Sequence, residues 1–165
     1  MEIREAVPGD WPGIWAFMKG IVRAGETYSW DTALSEQDAR ARWYRRSGAP
    51  RSHTVVAVGP AGEILGTAET GPNFEGPAGH IASASFMVDP AHSGQGVGRA
   101  LGAHVLGLAR AAGFRAMQFN AVVETNTRAV ALWRSLGFAV LATVPEGFRH
   151  PEHGYVGLHI MYQRL

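Results

Sequence analysis

Phe86-Met87-Val88-Asp89-Pro90-Ala91-His92-Ser93-Gly94-Gln95-Gly96-Val97-Gly98-Arg99-Ala100-Leu101 reads as a strand that stops, a turn, and a helix that starts. The strand begins at His80 and ends where Asp89-Pro90 breaks it. Four of the nine residues from Gly94 to Gly102 are glycine. Beyond the turn, Val97, Leu101, Val105, Leu108 and Ala112 recur at helical spacing, which predicts an amphipathic helix capped by Gly113. The first N–H groups of such a helix have no intrahelical acceptor and point at whatever lies above them. Glycine lets an anion approach that backbone with no Cβ in the way, and Arg99 adds a positive charge. Pyrophosphate suits this arrangement; a tight glycine turn with no ligand is the bland alternative.

Two common phosphate motifs fail here. A Walker loop needs Gly-Lys-Ser/Thr, and the chain has no such triplet. A dinucleotide fingerprint needs G-x-G-x-x-G, but Gly96 and Gly98 are followed by Leu101. Upstream, Ile3 starts a short strand, and Asp10 is placed to cap a helix carrying Trp11, Ile14, Trp15, Met18 and Val22. Gly25 to Leu34 is a loop, and Ser35 with Asp38 opens a second helix through Trp43. His53–Val58 and Glu63–Thr70 form a hairpin around Gly59-Pro60-Ala61-Gly62. Downstream come a strand over Arg115–Val123, a helix over Thr127–Leu136, and strands over Phe138–Val144 and Tyr155–Gln163. A loop with Pro145, Gly147 and Pro151 is expected between those last two strands.

The chain has 165 residues, 46% hydrophobic and 18% charged, and reads as one α/β domain over 1–165. Fifteen basic side chains against fourteen acidic ones leave a charge of +1, which argues against nucleic acid as a partner. The absence of cysteine excludes thiolate metal sites and a cysteine nucleophile. His150 and His153 alone make no metal set, so no metal is expected. Neither a secretory signal nor an apolar span of the length a membrane requires is seen, and a cytoplasmic location is expected.

The glycine turn resembles the coenzyme A pyrophosphate loop of the GCN5-related N-acetyltransferases, Arg/Gln-x-x-Gly-x-Gly/Ala. Gly96 and Gly98 match it, and Ser93 departs from it at the first position. Thr125-Asn126-Thr127-Arg128-Ala129-Val130-Ala131-Leu132-Trp133-Arg134-Ser135-Leu136-Gly137-Phe138 resembles the family's later cofactor helix, in the expected order. The resemblance implies a mixed, mostly antiparallel sheet flanked by helices. That sheet would be splayed between Ser83–Val88 and Met117–Val123, with acetyl-CoA in the split. It implies cofactor contacts from Ser93, Gly94, Gln95, Gly96, Val97, Gly98, Arg99 and Asn126, and a backbone N–H of Met87 or Val88 on the thioester carbonyl. Many members place a Tyr where this chain has Trp133, and an indole cannot serve as an acid.

Catalysis would then need a base for the acceptor amine. Glu69, His80 and Glu124 are the candidates, with Glu69 first because family bases often sit on strands feeding the cleft. Asn120 lies in a strand, where Asn is disfavoured unless paired, so it is either satisfied by neighbouring groups or reads a substrate carboxylate. The text around Asn120, Asn126 and Phe148-Arg149-His150-Pro151 is similar to fungal acetyltransferases of toxic proline analogues. There the first Asn is implicated in holding the carboxylate and the second in acetyl transfer. Gly25-Glu26-Thr27-Tyr28 resembles bacterial members acting on phosphinothricin or methionine sulfoximine, where this loop covers the acceptor. Glu26, Tyr28, Trp30, Asn120 and His150 are therefore the expected substrate contacts, and Val88, Asn126 and Glu69 the expected catalytic groups. The expected reaction is direct acetyl transfer to a small amine, an amino acid or analogue, by a protein that is a dimer by family habit. Acetylation of a peptide amine and a non-catalytic coenzyme A sensor are the rival readings.

Overall fold

The computed structural model describes residues 1–165. Its strands are β1 (Glu2–Glu5), β2 (His53–Val58), β3 (Ile64–Pro72), β4 (Ile81–Val88), β5 (Ala116–Val123), β6 (Ala139–His150) and β7 (Gly154–Arg164). Its helices are α1 (Trp11–Ala24), α2 (Glu36–Trp43), α3 (Val97–Ala111) and α4 (Thr127–Ser135). The strands form one seven-stranded sheet in the order β1-β2-β3-β4-β5-β7-β6. Every neighbouring pair is antiparallel except β4 with β5. No helix is long and apolar enough to cross a membrane.

The two sheet faces bury different cores. Leu101, Val105 and Leu106 of α3 pack on Met117, Phe119 and Met161, joined by Trp133 and Phe138 from the α4 region. On the other face Trp11, Ile14, Met18 and Val22 of α1 meet Trp43 of α2, Val56 and Met87. Trp43 is 1% exposed, and its indole N–H donates to Thr67 Oγ1 at 3.0 Å. Trp30 packs edge-on to Trp43, and Tyr28 edge-on to Trp30, so the α1–α2 loop hangs from the core through three aromatic rings. Trp43→Ala should therefore cost about 3–5 kcal/mol in urea unfolding, with the loop released as well.

Two expectations are corrected. Asp10 stands at the N-cap of α1 but makes no cap bond; its carboxylate takes two 2.8 Å bonds from Arg4 and one from the Val7 N–H. The hydrogen-bonded Arg4 guanidinium holds its pKa below the ordinary Asp value. The loop expected around Pro145 is instead strand: β6 runs on to His150 through a register shift between Val144 and Phe148. An edge strand tolerates a proline and a bulge, because one side of its backbone owes no hydrogen bonds to a neighbour.

Candidate active site

β4 and β5 pair only at Ile81↔Ala116 and Ala82↔Met117, and beyond these two rungs the sheet opens. The register of β3 with β4 is unbroken from Pro72↔Ala82 to Gly66↔Val88. At its two ends, Asn73 N–H donates to Ile81 O and Asp89 N–H to Leu65 O, so odd-numbered residues of β4 turn their peptide groups toward β3. Antiparallel alternation then turns those of Ala84, Phe86 and Val88 toward the split. Phe86 O agrees, accepting a 2.9 Å bond from the Tyr28 hydroxyl rather than from a strand. Of the two N–H groups expected at the thioester, the one facing the split is that of Val88. Met87's belongs to the β3 ladder, and its side chain is core.

The mouth of the split is the glycine turn. Gly94 and Gly96 adopt φ of +80° and +83°, and a Cβ at either would meet nothing within 4 Å. Ala100 N–H is the first in α3 to find an intrahelical acceptor, Gly96 O at 3.0 Å, so the N–H groups of Val97, Gly98 and Arg99 are left to the space above. Ser93 and Gln95 are exposed beside them, while Val97 offers only backbone because its side chain is 3% exposed. Gly98 and Gly102 do a different job: a Cβ would lie 3.3 Å from Leu132 at the first and 2.7 Å from Leu136 at the second, so both let α4 sit close on α3. Arg99 makes a side-chain contact with the neighbouring helix. Its guanidinium donates to Ser135 Oγ at 2.8 Å and is tied to α4.

Asn126 caps α4, its Oδ1 accepting from Ala129 N–H at 3.2 Å, which leaves its side-chain NH₂ as the donor free for a ligand. Trp133 fills the floor on the α3 side, 4.7 Å from Phe86 and 4.9 Å from Phe119 between ring centres.

The opposite face holds the polar groups. Alternation places Glu69, Ser85, Gln118 and Asn120 there, since Ala82, Met117 and Phe119 lie in the α3-side core. Glu69 is 5% exposed; Ser85 Oγ donates to its Oε1 at 2.9 Å, and Arg46 Nη1 stands 3.5 Å from its Oε2. Tyr28 lies at the same spot, and burial, with the Glu69 charge second, pushes its pKa well above the ordinary phenol value. Asn120 is exposed and held by amides: its NH₂ donates to Asn73 Oδ1 at 2.7 Å, and its Oδ1 accepts from Asn73 at 3.1 Å and Gln118 at 2.8 Å.

Other candidates are used elsewhere. Glu124 accepts from Gly157 N–H and so fastens β7, and His80 Nδ1 lies 3.0 Å from Pro77 O in an exposed loop. Buried His150 accepts from the N–H groups of Glu152 and His153 through Nδ1, capping the β6–β7 turn, with His153 stacked on it. Glu26 is exposed in the α1–α2 loop. Ser85, Arg46 and Asn73 had no signal in the sequence beyond their polarity.

Known proteins share this arrangement. A fission-yeast (Schizosaccharomyces pombe) protein, N-acetyltransferase aca1, is 28% identical over 157 residues, 87% of this chain and 75% of its own length. A GCN5-related N-acetyltransferase from Kribbella flavida superposes with a TM-score of 0.95 at 55% identity, covering 99% of this chain and 97% of its own. A phosphinothricin acetyltransferase from Sinorhizobium meliloti, solved in complex with acetyl-CoA, gives 0.88 at 25% identity over 99% and 88%. Residues 15–138 match the profile of the acetyltransferase (GNAT) family. With the split sheet and the open glycine turn in their expected places, the chain belongs to the GNAT family of N-acetyltransferases.

Proposed function

We propose that this acetyltransferase acetylates the amine of a small molecule of amino-acid type, by direct transfer within one ternary complex. The observation that carries the reading is the Ser85–Glu69 pair, a buried carboxylate on β3 and a hydroxyl on β4, the strand that borders the split, both on the face away from α3. The aromatic loop bearing Tyr28 and Trp30 lies over the same face, as a cover for a small acceptor rather than an open groove for a peptide. The phosphinothricin acetyltransferase likeness supports a compact amino-acid analogue.

The residues at the mouth fit acetyl-CoA. Free N–H groups at Val97, Gly98 and Arg99, unobstructed Gly94 and Gly96, and the exposed Ser93 and Gln95 would hold its pyrophosphate, with the Asn126 NH₂ alongside. Acetyl-CoA supplies the acetyl group, already activated as a thioester. Val88 N–H faces the split, where a fixed donor stabilises charge gathering on a carbonyl oxygen. Ser85 Oγ can take a proton from the acceptor's ammonium while passing its own to Glu69 Oε1, so the amine becomes neutral without a free proton crossing the site. Asn120 can exchange its bond to Asn73 for the acceptor's carboxylate, since both amides are at the surface.

Incubation with acetyl-CoA and a panel of amino acids and analogues, read by thiol release, tests the proposal. Turnover on peptides alone would replace it with peptide acetylation, and binding of acetyl-CoA with no turnover on any amine would favour a sensor. Asn120→Ala should raise the acceptor KM about 10- to 100-fold, the loss of one or two hydrogen bonds to a charged group, with the acetyl-CoA KM unchanged. An unmoved acceptor KM would remove Asn120 from the substrate site.

A further inference from the structure

We infer that Arg46 is a positioning residue that holds the Glu69 carboxylate from its Oε2 side and leaves Oε1 to exchange a proton with Ser85. This rests on Glu69 being the base, as proposed above. Arg46 lies in the turn between α2 and β2, outside every motif of the family pattern quoted above. Its Nη1 stands 3.5 Å from Glu69 Oε2, yet neither atom makes a hydrogen bond, and both are sealed from solvent. A buried ion pair kept for stability closes its hydrogen bonds, because charges removed from water without them are costly. Here the pair is left open on one side. Ser85 occupies Oε1, and Oε2 keeps its lone pairs.

The approach is built into the sheet. Gly71 follows Glu69 by two residues on the same face of β3, and a Cβ there would lie 3.1 Å from Arg46 Cδ and 2.5 Å from Ser52 Oγ. Only glycine leaves the lane through which the Arg46 stem reaches the carboxylate. The charged and titratable groups around Glu69 are few. They are Arg46 from this turn, with Arg45 beyond it, and the Tyr28 hydroxyl from the α1–α2 loop; Ser85 on β4 and Thr54 on β2 are neutral. Arg46 is thus the cation placed against this carboxylate. Burial lowers its own pKa from the usual guanidinium value, with Glu69 pulling the other way, and it stays protonated across any assay range.

The test compares Arg46→Met and Arg46→Lys with the full-length wild type, measuring kcat and the acceptor KM from pH 5.5 to 9.5. A carboxylate stripped of a neighbouring cation in a buried site ionises about 1–3 pH units later. Arg46→Met should therefore move the acid limb of the kcat profile up by about that much, with the loss of kcat greatest at the acid end of the range. The acceptor KM should stay within about twofold, and Arg46→Lys should restore most of the profile. A kcat profile in Arg46→Met that overlays the wild type would overturn the inference, as would an Arg46→Lys as impaired as Arg46→Met. If Arg46→Met does not fold, Arg46→Gln is read the same way. Should both neutral variants unfold, Arg46 is structural and the inference fails. Glu69→Gln run beside them separates the two claims. Wild-type turnover in that variant refutes the base itself, whereas its loss together with an unmoved Arg46→Met profile refutes Arg46 alone.

Discussion

Gly96→Val should abolish measurable acetyl-CoA binding while the protein stays folded. Gly96 is the N-cap of α3 at φ +83°, in a region valine enters only under strain. Strain of this kind is worth about 1–3 kcal/mol, and the turn would relax by rotating its peptides. Because the site is exposed and a Cβ meets nothing within 4 Å, that relaxation disturbs no packed group. It does swing the N–H groups of Gly96 to Gly98 out of convergence and puts a branched side chain where a phosphate must come close. Losing two such bonds to a charged group costs about 3–6 kcal/mol, on the order of 10²- to 10⁴-fold in Kd. Titration calorimetry with acetyl-CoA checks the affinity, and circular dichroism with a thermal melt checks the fold. A Kd within threefold of wild type would show that the turn does not hold the coenzyme. Gly98→Trp is a poorer test, since Gly98 faces Leu132 and Val88 and a bulky ring there would also pry α4 from α3.

The frame and the site were not equally readable from the amino-acid order. Helix α3 and the turn before it were legible because amphipathic spacing and clustered glycine are local signals, set by neighbours in the chain. The split between β4 and β5 was expected only through the family resemblance. It depends on where two strands stop pairing, which no local pattern encodes. β6 was cut short because Pro145 and Gly147 read as a loop, and only its place at the sheet edge makes them tolerable. Among candidate site residues, Glu69 was reached only through the resemblance, because family bases often sit on strands feeding the cleft. Ser85 was not reached, because a serine among small residues is unremarkable until the register sets it opposite Glu69. Arg46 and Asn73 reach the site from turns, and His150 was drawn into the turn it caps. For Arg46 and Asn73 long-range geometry, not residue type, decides what the side chain does; for His150 the turn two and three residues on decides it.

Glu69→Gln should lower kcat by about 10²- to 10⁴-fold, the range a positioned general base contributes, and leave acetyl-CoA affinity within about twofold. Glutamine preserves the volume and can still accept the Ser85 hydroxyl through its carbonyl oxygen, so the 2.9 Å contact survives and only basicity is lost. The amide NH₂ would then face Arg46, donor against donor. Some loss of stability, about 1–3 kcal/mol for an uncompensated buried guanidinium, is expected and must be measured separately. The kinetic signature distinguishes the two effects. A lost base leaves a rate that climbs with pH as the free amine fraction of the acceptor grows, and an acceptor with a low amine pKa should suffer least. A merely loosened fold would lower every substrate by one factor at every pH. Glu69→Ala with added formate or acetate extends the test, because a small carboxylate that enters the vacated space should recover part of the rate. If Glu69→Gln turns over the best acceptor within threefold of wild type, proton removal does not pass through this strand, and the Ser85–Glu69 pair is a packing device only.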